Sequence, residues 1–344
     1  MRQLTLDQLT EQWSDVEAAV DATPGIDPWC SALDWTIPVA TAFAPRGKRL
    51  LLQSSNGNGY VLLGYYRRDN LPFLGSIEPL WGFACPLFGP DVRALTAELA
   101  EYLAELPEWS MLVLNGFPPL PYLPTKTVRD GLGVLGPTVL TDGITRRVAD
   151  LAGGYDCWLS ERSSRFRRNL RQAKTRAKQQ GVQILDVADD PTLFDRIHAI
   201  EQDSWKGQDG SGVTGPQMSI MYATMIDRLR GRQRLQAFVA RLPASTASTA
   251  TTVASGGPVD VGYILGGIRN RRYRGLQISF SSHHPGLSIG NLLQDHQLHH
   301  LTSNDLADSY DMGMDFPYKK RWADRGEKSV TLVVTRRIDG QGLS

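Results

Sequence analysis

The chain has 344 residues, 41% of them hydrophobic and 21% charged, with a formal net charge of +1. That length suggests one large domain or two ordinary ones, and near-neutrality supplies no global field that would drive the protein onto DNA or a membrane surface, so any polyanion site must be local. Three widely spaced cysteines, Cys30, Cys85 and Cys157, fit reduced thiols; the N-terminal residues lack the apolar core of a signal peptide, no run is long enough to span a membrane, and a cytoplasmic location is expected.

Residues 5–20 read as a helix capped by Thr5, with Leu6, Leu9, Trp13, Val16 and Val20 at helical spacing. A second apolar helix is expected after Pro28, through Trp29 and Leu33 toward Ala42. The period then changes: two apolar runs, 49–53 and 60–65, flank Asn56-Gly57-Asn58-Gly59, a hairpin signature. Residues 71–90 read as a strand with loops, 91–106 as a helix, 111–114 as a buried strand, and 117–124, with four prolines, as a loop. A strand is expected near 144–151, and the composition shift at Gly153-Gly154 places a domain boundary there.

Beyond it, residues 163–181 form a strongly basic helix ending at Gly181. A strand at 182–187, helices at 191–205 and 216–230, and strands at 235–242 and 259–266 follow. The joint between those strands, residues 243–258, is almost all Ala, Ser, Thr and Gly and reads as a flexible insertion. Strands at 275–281, 307–312 and 329–337 and a helix at 287–301 complete the chain. Each half runs helix, helix, strands, helix, strand, which argues for a mixed α/β layout (an α+β mixed sheet) met twice.

Two stretches carry the chemistry. His284-Pro285-Gly286-Leu287-Ser288-Ile289-Gly290 is a small-residue turn opening an apolar helix. Backbone N–H groups at such a place can hold an anion, which makes Gly286, Leu287, Ser288, Ile289 and Gly290 the carrier-binding candidates; the competing reading is an ordinary turn. The second stretch runs from Tyr310 to Trp322, with Asp311, Asp315, Tyr310 and Tyr318 beside Lys319, Lys320 and Arg321. Asp315 and Tyr318 are proton-handling candidates, unless the acids simply pair with the adjacent basic residues. Glu201 lies four residues before Trp205, and a carboxylate against an indole can gain a raised pKa; the alternative has Trp205 anchored in the core and Glu201 solvated. His283 is a candidate base. His296 and His300 have chelating spacing, but a Gln at 297 leaves the metalloprotease motif incomplete, and no metal is expected. The basic helix, with Arg162, Arg165, Arg167, Arg168, Arg171, Lys174, Arg176 and Lys178 around a stripe of Phe166, Leu170, Ala173 and Ala177, could hold an acidic acceptor, carrier phosphates or RNA, or could be a neutralised surface helix.

Several of these stretches, in order, resemble the CelD/BcsL-type acetyltransferase-like proteins of the GNAT superfamily, relatives of the Fem-type peptidyltransferases. They are Pro28-Trp29, residues 159–176, Ile200-Glu201 with Ser204-Trp205-Lys206, Val261-Gly262-Tyr263, His284-Pro285-Gly286, and the run from Asp311 to Trp322. The resemblance covers 155–325 well and 1–150 loosely. It implies two tandem GNAT-like domains, a degenerate one at 1–152 and an acyltransferase domain at 153–344. It implies acyl-CoA as co-substrate, acetyl-CoA included, and direct attack by an amine of a small-molecule or polymer acceptor. The strand before residue 283 would polarise the thioester. The usual GNAT phosphate-loop pattern is replaced here by residues 285–290. Two other expectations stay open: a Fem-like transferase using aminoacyl-tRNA, gripped by the basic helix, and a catalytically silent binding protein.

Overall fold

A computed structural model describes residues 1–43, 49–210, 212–244 and 257–337. The expected insertion at 243–258 lies outside the described residues over 245–256. The chain divides into two compact units, residues 1–145 with the segment from 328 onward, and residues 146–327.

The first unit opens with β1 (Arg2–Leu4), α1 (Leu6–Glu11), α2 (Trp13–Asp21) and α3 (Leu33–Phe43). Thr5 and Gln8 form a reciprocal capping box at α1. The helix expected from Pro28 starts later, at Leu33, because the Asp27 carboxylate accepts the N–H groups of Trp29 and Cys30 and holds a turn there. Then come β2 (Arg49–Gln53), β3 (Tyr60–Arg68), β4 (Leu71–Ser76), β5 (Leu87–Phe88), α4 (Val92–Glu105), β6 (Met111–Phe117), α5 (Leu123–Leu132) and β7 (Thr138–Asp150). Helix α5 falls in part where the sequence reads as a proline loop; Pro124 occupies its first turn, where a missing N–H costs nothing. Strands β2, β3, β4 and β6 are hydrogen-bonded in that order. Pairing is antiparallel up to β4, and β4 and β6 are parallel, with α4 in the crossover. Consecutive residues Leu50–Leu52 and Val61–Leu63 are buried, as in strands covered on both faces. Each such leucine contributes about 1.5–3 kcal/mol by leaving water.

The second unit holds α6 (Gly154–Ser160), α7 (Ser164–Gln179), β8 (Gln183–Asp186), α8 (Leu193–Gln202), α9 (Trp205–Gln208), α10 (Pro216–Gly231), β9 (Leu235–Leu242), β10 (Val259–Arg269), β11 (Arg272–Phe280), α11 (Ile289–Ser303) and β12 (Ser309–Met314). Strands β8 to β11 are antiparallel neighbours. Strand β12 pairs parallel with β11 after the crossover through α11, and antiparallel with the end of β7. The order of antiparallel strands followed by a helix-bridged parallel pair thus occurs in both units, in agreement with the mixed α/β layout expected twice.

The expected boundary at Gly153-Gly154 is displaced. Strand β7 runs unbroken to Asp150, and its residues from Arg146 onward count with the second unit. The last strand, β13 (Arg325–Thr335), belongs from residue 328 onward to the first unit rather than the second. Alternate residues Leu332 and Val334 enter the first unit's core, and the strand pairs with β6.

Candidate active site

The site begins where a sheet opens. Strands β11 and β12 are in register at Arg272 with Ser309, Tyr273 with Tyr310, and Arg274 with Asp311. Both continue, to Phe280 and to Met314, without further pairing between them among the described residues. The register of β12 against β7 also slips between Asp311 and Met314, and Gly313 has φ +75°, which only glycine adopts readily. Side chains occupy the carbonyls freed by this divergence. The Tyr222 hydroxyl donates to Leu276 O at 3.3 Å. Lys206 Nζ donates to Ile278 O and to Gln277 Oε1, each at 2.8 Å. Lys319 Nζ donates to Met312 O at 2.6 Å.

Below the opening lies a buried ionic cluster. Asp311 is fully buried and sits 2.6–2.8 Å from Arg146, Arg272 and Arg274, with the Gly313 N–H donating to its other oxygen at 2.8 Å. Burial by itself would raise its pKa, but the three guanidiniums, Arg274 foremost, outweigh that and hold the carboxyl well below the usual range. Glu327 adds a second carboxylate, 3.1 Å from Arg146 and 2.7 Å from Arg272. Burial pushes the Lys319 ammonium down to about 8, and nearby Arg274 acts in the same direction. Burial also lowers Lys206, which Glu201 partly offsets.

The proton-handling candidates are distributed around this opening. Asp315 does not pair with its basic neighbours in sequence. It accepts two bonds from Arg147, at 2.8 and 2.7 Å, which hold it below the usual carboxylate range. Tyr318 is half-exposed, its ring 6.4 Å from and nearly parallel to that of Phe316, and burial raises its phenol pKa. His283 is exposed; its N–H donates to Ser281 Oγ at 3.2 Å, while Ser282 N–H donates to Asp203 O at 3.1 Å and so ties the end of β11 to the end of α8. Burial lowers the pKa of neighbouring His284.

Glu201 and Trp205 are arranged the other way round from the alternative weighed above. Glu201 is fully buried, whereas Trp205 is 53% exposed, because α8 stops at Gln202 and a new helix starts at Trp205. The Glu201 carboxylate accepts from the Tyr263 hydroxyl at 3.1 Å and from Val213 N at 3.4 Å. An added Cβ on Gly212 would lie 2.0 Å from Glu201 Oε1, so the chain at 212–213 is closed over this acid.

The turn before α11 lies at the surface. Residues 285–287 make one turn of 3₁₀ helix, and Ser288 caps α11 with a left-handed backbone (φ +55°) and no side-chain hydrogen bond. Gly286 faces open space. The side chain of Ile289 is buried and Leu287 packs beside the same core cluster, so of these two only the backbone is available to a ligand. Gly290 receives the Phe280 ring: a Cβ there would lie 2.6 Å from the ring. Arg176 of α7 donates to Gly286 O at 3.0 Å, which places the basic helix against this turn. That helix buries Leu170, Ala173 and Ala177 and exposes Arg165, Arg168, Arg171 and Lys178, while Lys174 is paired with Asp295 at 2.7 Å. His296 and His300 pack edge-on against Phe238, and among the described residues no group of three or more side chains could hold a metal.

Sequence reasoning missed the arginines. Arg146, Arg147, Arg272 and Arg274 come from two strands far apart in the chain. The available signal was the i, i+2 spacing of Arg272 and Arg274, which puts both on one face of a strand. A separate groove of about 700 Å³ lies along α4 and α5 of the first unit, lined in part by Thr96, Ala100, Leu123 and Val134, well away in sequence from any of these groups.

Residues 164–320 match the family model described as an acetyltransferase (GNAT) domain. No curated protein matches the chain. Among solved structures, the crystal structure of FemX aligns over 96% of this chain and 97% of its own, with a TM-score of 0.65 at 12% identity. A conserved protein of unknown function from Bacteroides thetaiotaomicron covers 97% of this chain and 99% of its own, with a TM-score of 0.62 at 9% identity. The C-terminal domain (DUF2156) of a putative lysylphosphatidylglycerol synthetase from Agrobacterium fabrum covers 93% and 91%, with a TM-score of 0.55 at 13% identity. At such identities the likeness is one of fold. No described helix is long and apolar enough to cross a membrane. Residues 164–320 thus match an acetyltransferase (GNAT) domain, and the whole chain shares its fold with FemX.

Proposed function

We propose that this chain is an N-acyltransferase of the CelD/BcsL type that moves an acyl group from acyl-CoA to an amine by direct attack in its second unit. The observation that carries the reading is the parallel pair β11/β12, which opens beyond Arg274 and Asp311 and leads to an exposed turn with an uncapped helix N-terminus. Backbone N–H groups at residues 288–290 would meet the carrier phosphates, helped by the α11 dipole. The unpaired stretch of β11 would receive the thioester, where fixed donors lower the barrier by stabilising the oxyanion.

The proton roles follow from the surroundings of each group. Asp315, tied to Arg147, is a weak base in that state. His283, exposed just past β11, is better suited to take the proton of the attacking amine. Tyr318 is the candidate donor to the departing thiolate. Glu201 touches no open space and acts as a positioning residue, holding Tyr263 and the chain at 213. In the first unit the turn after β4 is closed on itself: Glu78, fully buried, accepts N–H bonds from Leu80, Trp81, Gly82, Phe83 and Ala84. An internal carboxylate there takes the donors that a carrier would need, which supports placing the chemistry in the second unit. The acceptor is a small-molecule or polymer amine and the setting cytoplasmic.

The second reading, transfer from aminoacyl-tRNA, draws on the exposed cations of α7 beside the turn. Thermal shift with CoA, acetyl-CoA and longer acyl-CoAs, followed by thiol release in the presence of amines, separates the two. The lead reading expects carrier binding that raises the melting temperature. A chain stabilised by no CoA species, but bound to tRNA with a steep salt dependence, would refute it.

A further inference from the structure

Two lysines enter the opening from opposite sides. Lys206, on α9, reaches the β11 edge at Gln277 and Ile278; Lys319 reaches the end of β12 at Met312. The acceptors of all three bonds are neutral oxygens, and among the described residues neither lysine forms an ion pair. The surrounding carboxylates are committed elsewhere: Asp311 and Glu327 to Arg146, Arg272 and Arg274, Asp315 to Arg147, and Glu201 to Tyr263 and Val213. The two ammoniums therefore rest on neutral oxygens, while the nearby carboxylates are hydrogen-bonded or ion-paired to other groups. Gly313 puts no side chain against Lys319: a Cβ there would lie 3.6 Å from Arg274 Nη2 and 3.9 Å from Lys319 Nζ, at ordinary contact distance.

Like charges in a half-buried place repel, and each loses hydration. Burial lowers the pKa of both ammoniums, and Arg274 and Lys206 lower that of Lys319 further. Ammoniums held in this way are suited to a ligand that brings negative charge. The carrier phosphates have their own place at the turn before α11, several residues further along the chain. The lysines instead stand where β11 and β12 part, where the acyl group would meet its acceptor.

We propose that Lys206 and Lys319 form an oxyanion-binding subsite for the acceptor, so that the acceptor amine also bears a carboxylate or phosphate. The inference rests on the acyl-CoA reading above for its word "acceptor", and on the two lysines alone for the anion.

The probe is inorganic phosphate, titrated by calorimetry into the full chain at constant ionic strength, with and without saturating CoA. Phosphate is expected to bind in both conditions. Lys206→Gln and Lys319→Gln should each weaken it at least about tenfold, since each removes one charge-assisted contact, and the double variant should abolish it. Lys320→Gln, at an exposed neighbour, should leave the affinity unchanged. In the unmodified protein, phosphate should shield Lys206 and Lys319 from acetic anhydride, read by mass spectrometry, a measurement that needs no variant to fold. Unchanged affinity in the double variant, or no shielding of either lysine, overturns the subsite. Displacement of phosphate by CoA overturns its assignment to the acceptor. Failure of CoA itself to bind refutes the acyl-CoA reading alone, because the phosphate titration without CoA stands independently.

Discussion

Removing one charge at the base of the opening, by Asp311→Asn, should cost more stability than the change of a single atom suggests. Asp311 Oδ2 lies 2.6 Å from Arg146 and 2.8 Å from both Arg272 and Arg274, and Oδ1 accepts the Gly313 N–H at 2.8 Å. An asparagine must choose. With its oxygen toward Gly313, an NH2 group faces three guanidiniums; with its oxygen toward the guanidiniums, it faces an N–H. Glu327 still neutralises Arg146 and Arg272, but Arg274, 2% exposed, loses the Asp311 carboxylate 2.8 Å away. Breaking a buried ion pair from one side costs about 3–5 kcal/mol, a large share of the roughly 5–15 kcal/mol that holds a domain folded. At about 2–4 °C per kcal/mol for a unit of this size, the melting temperature should fall by roughly 6–20 °C. The assay is paired thermal and urea unfolding at neutral pH. The pH dependence carries a second check. A carboxyl whose pKa is depressed on folding contributes fully above its unfolded value, about 3.9, and loses that contribution as pH falls toward its folded value. The gap between the wild type and the variant should therefore hold from neutral pH down to about 4 and shrink below. A loss under about 1 kcal/mol at neutral pH, the level of an exposed pair, would refute the claim that this carboxylate neutralises the arginines.

Lys319 gives the opposite sign. Its folded pKa, about 8, lies below its ordinary 10.5, so the folded state binds fewer protons than the unfolded state between those values. Wild-type stability should rise with pH across that window relative to Lys319→Met, by up to about 3 kcal/mol; parallel curves in urea denaturation would count against burial of the ammonium. In the first unit, the Glu78 carboxylate accepts from five backbone N–H groups among the described residues. Glu78→Gln turns one acceptor into a donor and should destabilise by about 2 kcal/mol or more; an unchanged urea midpoint would mean that this side chain is already protonated.

Much of the architecture was legible along the chain because it rests on local rules. The capping Thr5, the Asn-Gly hairpin, the basic helix with its small-residue stripe, and the Pro-Gly turn before an apolar helix all announce themselves within a few residues. Proline misled once, at α5, where Pro124 sits in the one part of a helix that tolerates it. The pairings were not legible. Asp315 stands beside Lys319 and Lys320 in sequence but joins Arg147, and Asp311 joins Arg146, Arg272 and Arg274, because strand neighbours in a sheet are set by register and not by separation along the chain.

What the sequence alone determined, then, is where helices, strands and the glycine-flanked turn begin, since backbone preference and periodicity act over short range. The tertiary structure alone decided which charges meet. It parted β11 from β12 after Arg274, turned Glu201 inward and Trp205 outward, and left Lys206 and Lys319 facing one opening. The physical reason is that desolvation and Coulomb interaction depend on distances through space, and those distances exist only after the strands have paired.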